Sequence, residues 1–151
     1  MMNIEDKKIY TSYFGNVKKI LKTFPDACLV SIAGKTPEWF KGIKYKKLAP
    51  HYDWWNEWHN KFKSNLESFE SREWYIDKYY ETVLDKLDAH DVIDELIQLA
   101  GNSSKVFLLC YEKPKKFCHR HTVEYWLNIH RIDCEEWTDE SSKWLSREYR
   151  L

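Results

Sequence analysis

The stretch that decides the fold is residues 105–127, KVFLLCYEKPKKFCHRHTVEYWL. Its continuous apolar run, 106–111, is typical of a strand that is covered on both faces of a sheet. A basic loop follows, and the periodic segment 118–130 then predicts an amphipathic helix. A buried strand that leads through a short loop into a helix is the building unit of a parallel α/β sheet.

The rest of the chain repeats this alternation. The runs 8–14 and 28–34 predict two more strands, since both are apolar or aromatic and both close at a glycine. Apolar stripes at 51–66 and 72–87 predict helices. A further helix is predicted at 88–101, capped by Asp88 and stopped by Gly101. Thr36, Pro37 and Gly42 have the spacing that brackets a helix of about one turn over 36–42.

These elements predict one α/β domain over residues 1–151, with a small, mostly parallel sheet flanked by helices. The segment from about 50 to 100 would form a helical crossover or insertion. Its many aromatic side chains are expected to pack as core, rather than to serve as a base-stacking platform. In the tail from 131, Trp137, Trp144 and Leu145 are expected to dock on the rest of the domain.

Composition excludes some classes of protein. A hydrophobic content of 43% excludes a disordered chain, and a formal net charge of zero gives no whole-molecule attraction to nucleic acid or membranes. The charges are segregated, however: residues 18–47 carry eight Lys and two acids, whereas 53–95 carry twelve acids and five bases. No apolar run reaches the roughly 18 residues of a membrane span. The four cysteines are irregularly spaced, unlike a disulfide framework, so a reduced, cytoplasmic protein is expected.

Chemistry-bearing residues concentrate where the strand at 106–111 leads into the next helix. Ligands of open parallel sheets bind beyond the carboxyl ends of the strands. Cys110 and Glu112 project to one side there. At about 100° per residue, His119 and Arg120 face the sheet, whereas His121 points to solvent.

Four interpretations of this corner remain open. In the first, Arg120 and the helix N-terminus hold an anion and His119 acts as acid or base. In the second, Cys118 is a nucleophile whose thiolate is stabilised at the helix start. In the third, Cys110, Cys118 and His119 hold zinc, although C-x7-C-H is not a standard zinc spacing and no bound cofactor is expected. In the fourth, the cysteines are buried apolar groups and His119 satisfies a strand carbonyl.

The segment LLCYEKPKKFCHRHTVEYWL also resembles the signature of a bacterial family, domain of unknown function 488 (DUF488). In that signature a strand ending in L-L-C-x-E is followed by a short loop and by C-H-R at a helix start. The stretches IYTSYFGN, SIAGKTPEWFKGIKYKKLAP and YIDKYYETVLDKLDAHDVIDEL are similar to the family as well. The resemblance implies a Rossmann-like α/β domain, and it implies no established reaction.

The main motif of the resemblance covers Cys110, Glu112, Cys118, His119 and Arg120, and its weaker motifs cover Thr11, Ser12, Thr36 and Pro37. If the sheet is parallel, the loops that carry these residues converge on one cleft. We therefore expect a small anionic ligand there, such as a nucleotide or another phosphate-bearing compound, and the sequence leaves open whether the protein is an enzyme. The expected catalytic residues are His119, Cys118 and Glu112. The expected ligand contacts are Arg120, Thr11, Ser12, Lys35, Thr36 and Cys110.

Two alternatives belong to other classes. The basic, aromatic segment 38–50 would suit nucleic acid, with a ring from Tyr45 or Trp39 stacking on a base. Its phosphate contacts would come from Lys41, Lys44, Lys46 and Lys47. The acidic, aromatic-rich helices would instead suit a protein-interaction module if their Trp side chains were exposed.

Overall fold

A computed structural model describes residues 7–112 and 116–138. In this part of the chain, five strands form one sheet in the order β3-β2-β4-β1-β5, and all of its pairings are parallel. The strands are β1 (Lys8–Tyr13), β2 (Cys28–Ser31), β3 (Ile43–Lys44), β4 (Lys105–Cys110) and β5 (Cys134–Glu136). The predicted parallel α/β architecture is confirmed.

Helices cover both faces of the sheet. They are α1 (Val17–Thr23), α2 (Tyr52–Lys61), α3 (Phe69–Thr82), α4 (Ala89–Ala100) and α5 (His119–Ile129). Successive strand residues point to opposite faces, so Phe107 packs in one core cluster with α1 while Val106 and Leu108 pack in the other with α2 to α5. Because β4 is central, its apolar residues from 106 to 110 are almost fully buried. This burial explains why the run is continuously apolar rather than alternating.

The segment between β3 and β4 is the helical crossover that the sequence predicts. Trp54 and Trp58 are buried, and both pack edge-on against the ring of Tyr75. The indole Nε1 of Trp58 donates a hydrogen bond to Ser71 Oγ at 2.9 Å. These two Trp side chains are core, which counts against an interaction module that displays them.

The capping residues indicate where the helices begin and end more accurately than the apolar stripes do. Helix α4 confirms the prediction at 88–101: Asp88 accepts a hydrogen bond from the Asp91 backbone N–H at 3.0 Å, and Gly101 follows the last turn at φ 60°. The stripe at 51–66 overestimates α2, which ends at Lys61. The stripe at 72–87 is shifted relative to α3, where Ser68 supplies the N-cap.

The helix predicted over 36–42 is wrong. These residues form a loop, in which the Phe40 N–H donates to the Pro37 carbonyl. Gly42 is required for a different reason, because a Cβ there would lie 2.3 Å from the backbone oxygen of Leu29. The sequence also missed α1, β3 and β5, which are too short to show a periodic pattern.

Trp137 is half-buried, and its ring lies edge-on against Phe24 and Phe107 as the docking prediction requires. Trp144 and Leu145 lie outside the described residues. No helix in the described ranges is long and apolar enough to cross a membrane.

Candidate functional site

The carboxyl ends of all five strands lie at one edge of the sheet because every pairing is parallel. This carboxyl edge receives the three loops that the sequence predicted to converge. Thr11 and Ser12 lie near the end of β1, Lys35 and Thr36 follow β2, and Cys110 ends β4. Cys118 is the N-cap residue of α5.

Three reactive side chains meet at this edge. One potential ligand atom from each of Cys110, Cys118 and His119 lies within 4.8 Å of the others, and all three residues are buried. The sulfur atoms of Cys110 and Cys118 are within bonding distance and form a disulfide, with the Cα atoms 7.3 Å apart. The expectation of reduced cysteines is therefore wrong for this pair, because the fold brings together residues whose spacing resembles no disulfide framework. Cys28 is a free thiol.

The orientation of His119 follows from its contact with the strand layer. Its Nε2 lies 2.7 Å from the carbonyl oxygen of Ile32. A carbonyl oxygen can only accept, so Nε2 carries the hydrogen and Nδ1 carries the lone pair. Nδ1 lies 3.8 Å from the sulfur of Cys118. Burial lowers the pKa of His119 to about 4, aided by the charge of Arg120, so the ring is neutral at pH 7.

Arg120 is fully buried, as helical phasing predicted, and it is held by groups of the protein itself. Its Nε and Nη2 each donate to one carboxylate oxygen of Glu136, both at 3.0 Å. Its Nη1 donates to the sulfur of Cys110 at 3.2 Å and to the backbone carbonyl of Glu112. The predicted role of Arg120 in holding an anion stays a prediction, and the structure adds its contact with the sulfur of Cys110.

Glu136 is a neighbour of the candidate site that sequence reasoning missed. It neutralises Arg120 and also accepts a hydrogen bond from Thr11 Oγ1 at 2.7 Å. One signal pointed to such a residue: an arginine phased toward the core needs a carboxylate partner. The short strand β5 gave no pattern from which to identify that partner.

The hydroxyl groups predicted to contact ligand form hydrogen bonds with other side chains of the protein. Ser12 is buried and accepts a hydrogen bond from the side-chain amide of Asn16 at 3.1 Å. Thr36 shares a hydrogen bond of 2.8 Å with the hydroxyl of Ser31. Lys35 is exposed, so its side chain is accessible at this edge.

Glu112 and His121 are less buried than Cys110, Cys118 and His119. The side chain of Glu112 is exposed, and only the backbone carbonyl of this residue contacts Arg120. His121 was predicted to face solvent, but its ring is half-buried, with Nε2 at 3.3 Å from the Lys116 carbonyl. Lys113 and Lys115 of the same loop lie outside the described residues.

Within the basic segment 38–50, one of the two rings predicted to stack on a base is inaccessible. Tyr45 is buried, and its hydroxyl donates a hydrogen bond to Glu95. Burial and this hydrogen bond both raise the pKa of Tyr45, and the same hydrogen bond lowers the pKa of Glu95. Lys47 pairs with Glu95 at 3.0 Å, and Lys46 donates to the Gly34 carbonyl at 3.0 Å. Lys41 and Lys44 are exposed.

The other ring, Trp39, belongs to an aromatic rim. Trp39 is 56% exposed and Tyr111 is 51% exposed. Both rings lie edge-on to the buried ring of Phe14, at centroid distances of 6.3 and 4.9 Å. The loops after β1, β2 and β4 thus each contribute one aromatic ring to the carboxyl edge.

A family model, DUF488-N3a, described as the active DUF488-N3 subclade, matches residues 31–131, which is more than half of the chain. The protein belongs to the DUF488 family. No curated protein and no solved structure matches the chain. The DUF488 match includes Cys110, Cys118, His119 and Arg120, whereas Thr11 and Glu136 lie outside it.

Proposed function

We propose that this DUF488 protein is an enzyme that binds a small anionic ligand at the carboxyl edge and acts on it through Cys110, Cys118 and His119. The observation that carries the proposal is the convergence of these three side chains within 4.8 Å. Two thiol groups and an imidazole are the protein's most reactive groups near neutral pH. They lie where open parallel sheets bind their ligands.

The hydrogen bonds of the site suit thiolate chemistry when the cysteine pair is reduced. The lone pair on Nδ1 of His119 faces Cys118 and can accept a hydrogen bond from its thiol. The guanidinium of Arg120 contacts the sulfur of Cys110 and favours the charged form of that thiol. In this proposal, Arg120 is a positioning residue, and its ion pair with Glu136 holds it against the sulfur.

The surroundings suit a ligand that carries both a negative charge and a planar ring. The first-turn N–H groups of α5 carry the positive end of the helix dipole, and the exposed side chains of Lys35 and Lys116 add positive charge. Trp39 and Tyr111 offer exposed aromatic surface beside them. A nucleotide fits both features, since its phosphate meets the cations and its base meets the rings.

The comparison with known families supports an enzyme over a binding module. The matching subclade is described as active, a word that applies to the subclade as a group. In this chain the matched range contains all three members of the Cys110, Cys118 and His119 cluster.

The test is a titration of the reduced protein with ADP, ribose 5-phosphate and inorganic phosphate, followed by calorimetry. We expect at least one of them to bind, and Lys35→Glu to weaken that binding by about tenfold. The matched control is Lys22→Glu, an exposed residue in the last turn of α1, which runs back toward the opposite edge of the sheet. The control should bind as the unmodified protein does.

Absence of binding by all three compounds would contradict the proposal, as would equal weakening by both charge reversals. A single-stranded oligonucleotide that binds at low salt and is released steeply as salt rises, without binding of the small compounds, would favour the nucleic-acid alternative instead.

A further inference from the structure

We propose that the reduced protein binds one zinc ion through Cys110 Sγ, Cys118 Sγ and His119 Nδ1, with a fourth position open to water or to a ligand oxygen. The inference concerns the site of the proposed function and names its metal. It stands on the arrangement of side chains at the carboxyl edge, and it can be tested without any anionic ligand.

The distances between the side-chain atoms fit a common metal ion. Two atoms that bind one tetrahedral zinc, a thiolate and an imidazole nitrogen, lie about 3.6 Å apart. The observed distance from Cys118 Sγ to His119 Nδ1 is 3.8 Å. The ligand atom of Cys110 lies within 4.8 Å of both. Once the disulfide is reduced, side-chain rotations that move the two sulfur atoms apart allow all three atoms to contact one ion.

The backbone separation of the two cysteines also suits a shared ion. Their Cα atoms are 7.3 Å apart. Disulfides usually span roughly 4.4–6.8 Å between Cα atoms. The strand end and the helix start thus hold the two Cα atoms farther apart than a disulfide usually requires. Two thiolates on one zinc ion lie about 3.8 Å apart, a distance that this wider backbone spacing accommodates.

The second layer of contacts is the kind that zinc ligands need. A histidine that binds zinc through one nitrogen usually donates its other N–H to a carbonyl or carboxylate, which sets the tautomer. His119 does this with the Ile32 carbonyl at 2.7 Å, and Nδ1 is left to bind. The sulfur of Cys110 accepts an N–H···S hydrogen bond from Arg120, which orients it.

Charge balance favours the binding of Zn²⁺ at this buried position. Two thiolates cancel the charge of Zn²⁺, and the imidazole is neutral, so the loaded cluster has no net charge. The adjacent pair of Arg120 and Glu136 is also neutral. Without a metal, a thiolate in these surroundings would be a buried charge with a high desolvation cost. Thiolate and imidazole ligands select zinc over magnesium or calcium, which prefer oxygen.

Loading requires the reduced cysteine pair. A water-soluble phosphine supplies the two electrons: the S–S bond breaks, each sulfur gains a proton, and the phosphine takes up an oxygen atom from water. Zinc then displaces the two thiol protons to solvent as two Zn–S bonds form. Oxidation and metal loading are therefore mutually exclusive states of the same two sulfur atoms.

The experiment uses the full chain, reduced with phosphine under anaerobic conditions, stripped of metal and titrated with Co²⁺ and then Zn²⁺. We expect the visible absorption of tetrahedral cobalt with a thiolate-to-metal band, saturation at one equivalent, and bleaching by one equivalent of zinc. Cys118→Ser and His119→Gln should each weaken metal binding by on the order of 100-fold or more. Cys28→Ser is the matched control, since Cys28 is a free thiol at the start of β2, and it should bind one equivalent unchanged.

Far-UV circular dichroism shows which variants remain folded. If Cys118→Ser or His119→Gln does not fold, the titration is carried out with Cys110→Ser in its place. The proposal fails if the reduced protein takes up no cobalt, or if a folded ligand variant binds as tightly as the Cys28→Ser control. Metal binding without binding of ADP, ribose 5-phosphate or phosphate would leave the zinc site standing and refute the proposed function. Binding of one of those compounds to reduced protein that takes up no cobalt would refute the zinc site and leave the proposed function standing.

Discussion

Arg120 of α5 and Glu136 of β5 form a two-point ion pair in which the guanidinium has no exposed surface. The pair connects the helix that carries His119 to the edge strand of the sheet. Its geometry also directs Nη1 of Arg120 toward the sulfur of Cys110. The pair therefore supports both the packing of α5 and the orientation of the cysteine cluster.

Removal of the carboxylate from this pair should destabilise the protein strongly. Glu136→Ala leaves the guanidinium of Arg120 buried without a counter-charge, which costs about 3–5 kcal/mol of the free energy of unfolding. Urea denaturation of both proteins measures the difference. Lys47→Ala is the control, because it breaks an ion pair whose lysine side chain is 59% exposed, and it should cost at most about 1 kcal/mol. Similar costs for the two variants would contradict the structural role assigned to Glu136.

Gly42 should be intolerant of a methyl group although its loop is exposed. A Cβ at this position would meet the Leu29 backbone oxygen at 2.3 Å and the Phe40 ring at 2.5 Å. The backbone oxygen belongs to β2 and cannot move freely, so Gly42→Ala should cost about 1–3 kcal/mol through overpacking. Gly34→Ala is the matched control, since its nearest neighbour would be 3.9 Å away. Thermal unfolding should show a clear loss for the first variant and little change for the second.

Tyr75 should make the folded state sensitive to alkaline pH. Burial raises the pKa of Tyr75 above its ordinary value of 10. The unfolded chain therefore releases the phenol proton first, so the stabilisation from Tyr75 is complete below about pH 10 and is lost as pH rises above that value. Urea denaturation at about pH 8, 10 and 11 should show a smaller loss for Tyr75→Phe than for the unmodified protein. Tyr52→Phe, at a residue that is 76% exposed, should leave the pH dependence unchanged, and an equal effect of both variants would refute the prediction.

Sequence reasoning was most accurate where the signal is local. The apolar run at 106–111 predicted a strand buried on both faces, and β4 is that strand. Helical phasing placed His119 and Arg120 inward because the direction of a side chain on a helix depends only on its position. Asp88 and Gly101 marked the limits of α4 because each satisfies backbone groups of its own helix.

The errors occurred where partners are distant in the chain. The loop at 36–42 has the punctuation of a helix, but contacts of Phe40 and Gly42 with other parts of the structure determine its shape. Arg120 and Glu136 are separated by 16 positions in the sequence, so their pairing cannot be recognised locally; it exists because β5 aligns with β1 beside α5. Strands of two or three residues carry too little pattern to be recognised without their neighbours.

The sequence by itself determined the fold class of this DUF488 protein and the segment that forms the candidate site, because strand and helix periodicities are local properties of the chain. Only the tertiary structure decided how those residues interact. It brought the sulfur atoms of Cys110 and Cys118 together beside Nδ1 of His119, and it placed Arg120 in an ion pair with Glu136. The physical reason is that parallel strands form hydrogen bonds with partners far away in sequence, so the neighbours at the carboxyl edge are set by the order of strands in the sheet.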